Sequence, residues 1–274
     1  MADTGPNNQN LPLRTHNNRR ALIGALLLAI IGTVFISLGN WQLNRADERR
    51  LIAQQIEQGR QSTPVRLGAD ADASALKAWQ AADVTGTWLA QWSVLLDNRN
   101  LDGKPGYWLA TPLLLSPDRA ILVVRGWLAR PIGQFNPFPA IAQSTDNVAV
   151  TGEIAMRVPQ LYELTDPRAL TFDRNAVTTM DQNQSAIDLD RVPQRQNVSV
   201  DQLSNATGIQ FLPVVLLQTN ATDGQNLVRQ WPTPSIDADT NIGYAMQWFS
   251  FAAIAFGAMC VLLWRVWRHA KIST

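Results

Sequence analysis

Ala21–Leu38 reads ALIGALLLAIIGTVFISL, eighteen consecutive residues without a charge. As a helix rising about 1.5 Å per residue it reaches roughly 27 Å, enough to cross the hydrocarbon core of a bilayer. A second run, Ile242–Trp264, has 23 uncharged residues, with Gln247 its most polar member. Two such runs, one near each end, fix the architecture: two spanning helices around a central domain. Arg19 and Arg20 ahead of the first run would also suit a secretory signal. Signal cores, however, run only about 7–15 residues, and Ser37-Leu38-Gly39-Asn40-Trp41 has no A-x-A cleavage site. The first run therefore reads as an uncleaved anchor.

Charge follows the same division. The chain of 274 residues is 46% apolar and 16% charged, within the globular range and too apolar for a disordered chain. Asn44–Thr240 holds seventeen basic against twenty-one acidic residues, and the ends hold six basic residues and only Asp3. An acidic middle excludes a nucleic-acid interface, which needs a basic face. Cys260 is the only cysteine, so an intramolecular disulfide or a thiolate metal cluster is excluded. The two histidines, His16 and His269, lie in the basic ends, which removes His-dependent triads and HExxH zinc sites from the middle.

Orientation follows from Lys and Arg at the span ends. Arg265, Arg268 and Lys271 follow the second run, whereas no Lys or Arg later than Arg229 precedes it. The first run is flanked by Arg14, Arg19 and Arg20 on one side and Arg45, Arg49 and Arg50 on the other, a split vote. Two spans place both termini on one side, and the positive-inside rule makes that side the cytoplasm. Trp41, Tyr244, Trp248, Trp264 and Trp267 sit where an aromatic belt would. No Arg-rich amphipathic leader is visible, so a bacterial inner membrane with a periplasmic domain is expected.

Asn44–Gly59 reads as a helix continuing the first span, with Gly59 near its C-cap. Strands are expected at Asp83–Trp88, Ser93–Asp97, Tyr107–Leu115, Ala120–Leu128, Asn147–Ile154 and Gly208–Thr219. A four-residue loop, Ser116–Arg119, would join two of them in a hairpin. Ser199 and Gln202 form a capping-box pattern for one short helix that Gly208 closes. Gln134–Gln143 and Asp181–Asn197 read as loops. The fold class is thus an integral membrane protein, two transmembrane α-helices flanking a mainly antiparallel β (α+β) periplasmic domain. Its segments are residues 1–20 (tail), 21–43 (span), 44–240 (domain), 241–264 (span) and 265–274 (tail).

Catalytic signatures are missing: the chain has no GxSxG, GxGxxG, GKS, GKT, HExxH or CxxC. The expectation is a protein that binds rather than an enzyme. The distinctive residues are aromatic, Gly and Arg at short spacing. Trp41 and Arg45 are four apart at the outer mouth of the first span, so Arg45 can lie over the indole. Arg125-Gly126-Trp127 puts an arginine inside an apolar strand, where it must point out of the core or find a carboxylate or carbonyl. Tyr244, Gln247 and Trp248 share one stripe of the second span, a pattern suited to another helix or a cofactor rather than to lipid.

Taken in order, these blocks resemble the Surf-one (surfeit locus one) family of cytochrome c oxidase assembly proteins. Leu38–Arg45 matches its LGxWQLxR, Val84–Trp88 its VxGxW, and Gly106–Leu113 its GYxxxTPL. Val123–Trp127 matches V-x-RGW and Tyr244–Phe249 matches YAxQWF. The resemblance runs from about Leu38 to Leu263 and is loose over Thr171–Asn197. It implies an assembly factor for the haem-copper oxidase that assists maturation, or haem a insertion, of the large catalytic subunit. It also implies that subunit, other assembly factors and membrane lipid as partners. The rival readings are a permanent accessory subunit of the oxidase and a membrane-anchored periplasmic enzyme or receptor. Candidate contacts with partner or haem are Trp41, Arg45, Arg125, Gly126, Trp127, Tyr244, Gln247 and Trp248. Haem a is the one cofactor implied. Some family members have a His three residues ahead of the Tyr of the second span, as a candidate haem ligand. Asn241 stands there in this chain, and an amide is a poor iron ligand.

Overall fold

The computed structural model describes residues 13–131, 138, 141, 142, 144, 146–162, 170–172, 186–220 and 227–271, with the side chains of 13–18 and 269–271 excepted. The side chains of His16 and His269, most of Gln134–Gln143 and the first part of Asp181–Asn197 lie outside these. Two compact units emerge, one comprising Met1–Ala53 with Pro234–Thr274 and the other Gln54–Thr233.

Helix α1 runs from Leu13 to Gln61, 49 residues, and the last helix, α3, from Asp239 to Lys271, 33 residues. Both are long and apolar enough to cross a membrane. Their most apolar windows are only 11% buried, with Leu22, Ile23, Leu26, Ile30, Phe251 and Ile254 facing outward. That much exposed aliphatic surface is far beyond what a water-soluble chain leaves bare. The continuation of the first span through Asn44–Gly59 is observed, but Gly59 does not cap it. A Cβ there would lie 2.1 Å from the Ala78 carbonyl oxygen, so this glycine permits close approach instead.

The second unit is built on β1 (Val65–Leu67), β2 (Ala81–Trp88), β3 (Val94–Leu96), β4 (Gly106–Ser116) and β5 (Arg119–Ala129). There follow β6 (Ile141–Ala142), β7 (Val148–Ala155), β8 (Ala186–Ile187), β9 (Gln194–Arg195), helix α2 (Val200–Thr207) and β10 (Gln210–Gln218). The eight-stranded sheet has the order β1-β2-β7-β10-β5-β4-β3-β9. An additional antiparallel pairing of Thr87 and Trp88 with Leu114 and Leu113 joins β2 to β4 and closes β2-β7-β10-β5-β4 into a barrel. Most pairings are antiparallel, but β10 runs parallel to β5, β1 to β2 and β9 to β3, so the sheet is mixed. The parallel pair arises because β10 returns after α2 and inserts between β5 and β7.

Alternation of side chains makes the barrel interior. Val84 and Trp88 of β2, Val150 and Ile154 of β7, Leu212, Val214 and Leu216 of β10, Ile121 and Val123 of β5, and Leu113 of β4 form one cluster. Glycine takes the inward place where strands press closest. A Cβ at Gly86 would lie 2.2 Å from the Leu114 oxygen, and one at Gly152 would lie 2.4 Å from the Leu217 oxygen. The glycine of the Val84–Trp88 block is therefore what lets β2 reach β4 and shut the barrel. On the outer face Val94, Leu96, Trp108, Leu122, Val124, Trp127, Val215 and Leu217 pack under Leu203 of α2.

The β4–β5 hairpin is tighter than expected, since Ser116 and Arg119 pair and leave a two-residue loop. Helix α2 is capped as its sequence implies. The Gln202 amide N–H donates to Ser199 Oγ (3.1 Å), the Ser199 N–H donates to Gln202 Oε1 (3.0 Å), and Gly208 closes the helix at φ +75°. Ser199→Ala is expected to lower stability by about 1 kcal/mol, seen as a small fall in melting temperature with no change in fold.

Candidate functional site

The helix-pair unit is held by small residues spaced by seven. Ala25, Gly32, Gly39 and Ala46 are the tightly buried positions of α1 within it, the repeat of a left-handed supercoil. A Cβ on Gly39 would fall 2.5 Å from the Phe249 ring, one on Gly32 2.8 Å from Phe256, and one on Gly24 3.6 Å from Leu262. Rising numbers on α1 meet falling numbers on α3, so the helices are antiparallel. At the end of the pair where α3 begins, Asn241 Nδ2 donates to Gln42 Oε1 (2.6 Å) and Arg49 donates to the Asp237 carbonyl (2.5 Å). The Asn241 Oδ1 atom is buried without a hydrogen-bond partner among the described residues. Asp237 caps α3, accepting from the Asp239 and Thr240 N–H groups and the Thr240 hydroxyl, and these bonds hold its carboxyl below the usual range.

Around this end stand the candidates from the two apolar helices. Trp41 is 56% exposed and Tyr244 49% exposed, and Gln247 is exposed as well. Arg45 does not lie over Trp41: it turns to Glu48 at 2.6 Å, one turn along the helix, where a full negative charge outcompetes a ring face. Trp248 also parts from the expected stripe. Its ring packs 5.7 Å from Phe35 of α1, leaving Tyr244 and Gln247 as the outward groups.

Arg125, Gly126 and Trp127 lie inside the barrel unit. Strand β5 is bonded to β4 on one side and β10 on the other, so it offers no free edge. Arg125 is fully buried, its guanidinium carbon 4.3 Å from the centroid of Trp88. It neither points out of the core nor relies on strand exposure; the barrel interior receives it on an indole face. Strand β5 bulges at Arg125, which has no β4 partner between the pairs Val124–Ala110 and Gly126–Leu109, and a Cβ on Gly126 would lie 2.7 Å from Leu227. The bulge shifts the alternation, so that Trp127 follows Leu122 and Val124 into the outer cluster, where its Nε1 donates to the Arg99 carbonyl (2.6 Å).

Sequence reading missed Arg99. It is 4% exposed, stacks 4.5 Å from the centroid of Trp108 and donates to the Gln196 carbonyl at 2.9 Å. Burial lowers its pKa to about 10 against the raising effect of Asp97, so it stays cationic at neutral pH. The only signal was an arginine between two turn residues, which carries no burial information. Burial has the opposite effect on the Tyr107 phenol, raising its pKa, with Asp97 adding to the rise and Arg130 opposing it.

A hollow of about 690 Å³ is lined by Arg157, Gln160, Tyr162, Asn197, Ser199 and Gln202. The α2 capping box already uses the Ser199 and Gln202 groups that face it. Among the described residues no set of three His, Cys, Asp or Glu gathers as a metal site.

With both units laid out, the order of the motif blocks can be matched to known proteins. The SURF1 family matches residues 29–253, from within the first long helix, across the whole barrel, into the last helix. The chain belongs to the SURF1 family. Members of that family are known as cytochrome oxidase assembly factors. A SURF1-like protein of Rickettsia felis is 33% identical over 106 residues, 38% of this chain and 46% of the relative. One of Rickettsia conorii is 32% identical over 105 residues, 38% of this chain and 42% of the relative. An uncharacterised SURF1-like protein of Mycobacterium tuberculosis is 24% identical over 239 residues, 84% of this chain and 79% of the relative. The chain spans less than half the length of the Rickettsia relatives that it matches.

Proposed function

We propose that this SURF1 family member is a membrane-anchored assembly factor for a haem-copper cytochrome c oxidase, working by binding the nascent large subunit rather than by catalysis. The observation that carries this is the family match over residues 29–253, which runs from within the first apolar helix, through the domain, into the last. The geometry adds a division of labour. Arg125, Gly126 and Trp127 build the barrel, while Trp41, Tyr244 and Gln247 are the outward-facing groups at the outer end of the helix pair. A polar Gln beside amphipathic rings on a spanning helix suits contact with a spanning helix of the oxidase. Arg45 extends the same surface just above it. Haem a is the ligand this reading would pass on, held by aromatic contact, since Asn241 gives its amide to Gln42.

The domain belongs in the periplasm of a bacterial inner membrane, with residues 1–20 and 265–274 cytoplasmic, residues 21–43 and 241–264 spanning, and residues 44–240 outside. The test joins topology to activity. Alkaline phosphatase fused after Gly103 is expected to be active and fused after Thr274 inactive. In cells lacking the gene, a Trp41→Ala/Tyr244→Ala/Gln247→Ala variant is expected to accumulate normally yet restore much less oxidase activity than the parent chain. Reversed fusion activities would refute the placement. Full oxidase activity from the triple variant would refute the docking surface, and oxidase unaffected by loss of the gene would refute the assembly role. Recovery of the protein in equal amounts with mature oxidase would instead favour an accessory subunit.

A further inference from the structure

Arg19 and Arg20 on α1 and Arg265 and Arg268 on α3 are all exposed. The contact between Gly24 and Leu262, 3.6 Å for a built Cβ, lies one to two helical turns from each pair. Because the helices are antiparallel, both pairs fall in one layer at the same end. Among the described residues neither helix has a carboxylate at that end. The sequence has no acid between Asp3 and Asp47 and none after Asp239.

The opposite end is built differently. There Arg45 pairs with Glu48 at 2.6 Å, Arg50 with Asp47 at 3.4 Å, and Arg49 donates to the Asp237 carbonyl. One end pairs two of its three guanidiniums with carboxylates, and the other gathers four exposed guanidiniums with no carboxylate among the described residues of either helix there. Trp264 and Trp267 are 53% and 55% exposed, and the Arg268 guanidinium lies 5.0 Å from the centroid of Trp264. That stacking holds a cation at the level of the indoles, where headgroups meet acyl chains, rather than out in water.

We propose that this end of the helix pair is a binding site for anionic phospholipid. Phosphodiester oxygens accept charge-assisted hydrogen bonds from the guanidiniums, and the indoles pack against the glycerol and upper acyl region. A zwitterionic lipid brings its own ammonium and cannot neutralise the cluster. The proposal rests on the membrane-anchored reading and adds to it a lipid class and the residues that select it.

The test uses the full chain in nanodiscs, which have no sidedness, so a change of insertion direction cannot imitate loss of binding. Spin-labelled phosphatidylglycerol and phosphatidylcholine compete for the protein surface, and their immobilised fractions are compared. The parent chain is expected to favour phosphatidylglycerol by about fivefold. Arg19→Gln/Arg20→Gln/Arg265→Gln/Arg268→Gln is expected to bring the ratio close to one. The matching four-Lys variant and Arg45→Gln/Arg50→Gln should both keep the preference. Equal immobilisation of the two lipids by the parent chain overturns the proposal, as does a preference that survives the four-Gln change. Carbonate extraction of cell membranes separates the two failures. A parent chain released by carbonate defeats the anchored reading itself, whereas one retained by carbonate but without lipid preference defeats only this site.

Discussion

Trp127→Ala is expected to remove about 3–5 kcal/mol of stability, a large share of the roughly 5–15 kcal/mol that holds an ordinary domain together. The indole fills the outer cluster beside Trp108, Leu203 and Leu217, and its N–H satisfies the Arg99 carbonyl at 2.6 Å. Truncation therefore opens a cavity and strips a partner from the backbone of the loop that seats a buried cation. Trp127→Phe separates the two losses. It keeps most of the ring volume and gives up the hydrogen bond, at about 1–3 kcal/mol. The measurement is thermal unfolding of the full chain in detergent, followed by near-ultraviolet circular dichroism, alongside protein level in cells. A normal melting temperature together with lost oxidase activity would mean that Trp127 meets a partner, and the core assignment would fall.

The contrast between Arg125 and Gly86 shows where sequence reading stops. Both long apolar helices, the capping box at Ser199 and the six main strands were legible because each is a local pattern, a run, a spacing or an alternation. The closure of the barrel was not, because it depends on Gly86 meeting the Leu114 carbonyl across 28 residues of chain, and a glycine in a strand announces a close approach without naming its partner. Arg125 carried the opposite ambiguity. An arginine in an apolar strand fits an interface as well as a core, and only the inward Trp88 two strands away decides for the core. The same limit applied in the helix pair. Tyr244, Gln247 and Trp248 share a helical stripe, yet Phe35 on the other helix claims Trp248 and leaves the first two outside. Packing thus accounts for the burial of Arg125 and Trp127, and it leaves Trp41, Tyr244 and Gln247 as exposed members of the candidate set.

Gly39→Ile is expected to separate the two helices, because the close contact at that level depends on hydrogen in place of a side chain. Its Cβ alone would stand 2.5 Å from Phe249 Cε1 and 2.8 Å from Cζ, and a β-branched residue cannot turn away within a helix. In a bilayer, as proposed, there is no aqueous hydrophobic drive between helices, so close packing would be the main attraction, and the neighbouring Gln42–Asn241 bond would add only about 1 kcal/mol. Neither survives a shift of the axes. The native Cys260 is exposed and serves as one spin-label site, and exposed Leu27 changed to Cys serves as the other. The parent distance distribution should be single and narrow, and Gly39→Ile should lengthen and broaden it, with loss of oxidase activity. Gly39→Ile/Phe249→Ala should recover much of both, since the second change vacates the space the first requires. Gly257 provides the control, because a Cβ there meets nothing within 4 Å. Gly257→Ala should leave the distance unchanged, and if it nevertheless lowers oxidase activity, that outer face of α3 is where another helix sits. An unchanged distance in Gly39→Ile would show that the pair tolerates wider separation, and the heptad of small residues would then need another cause.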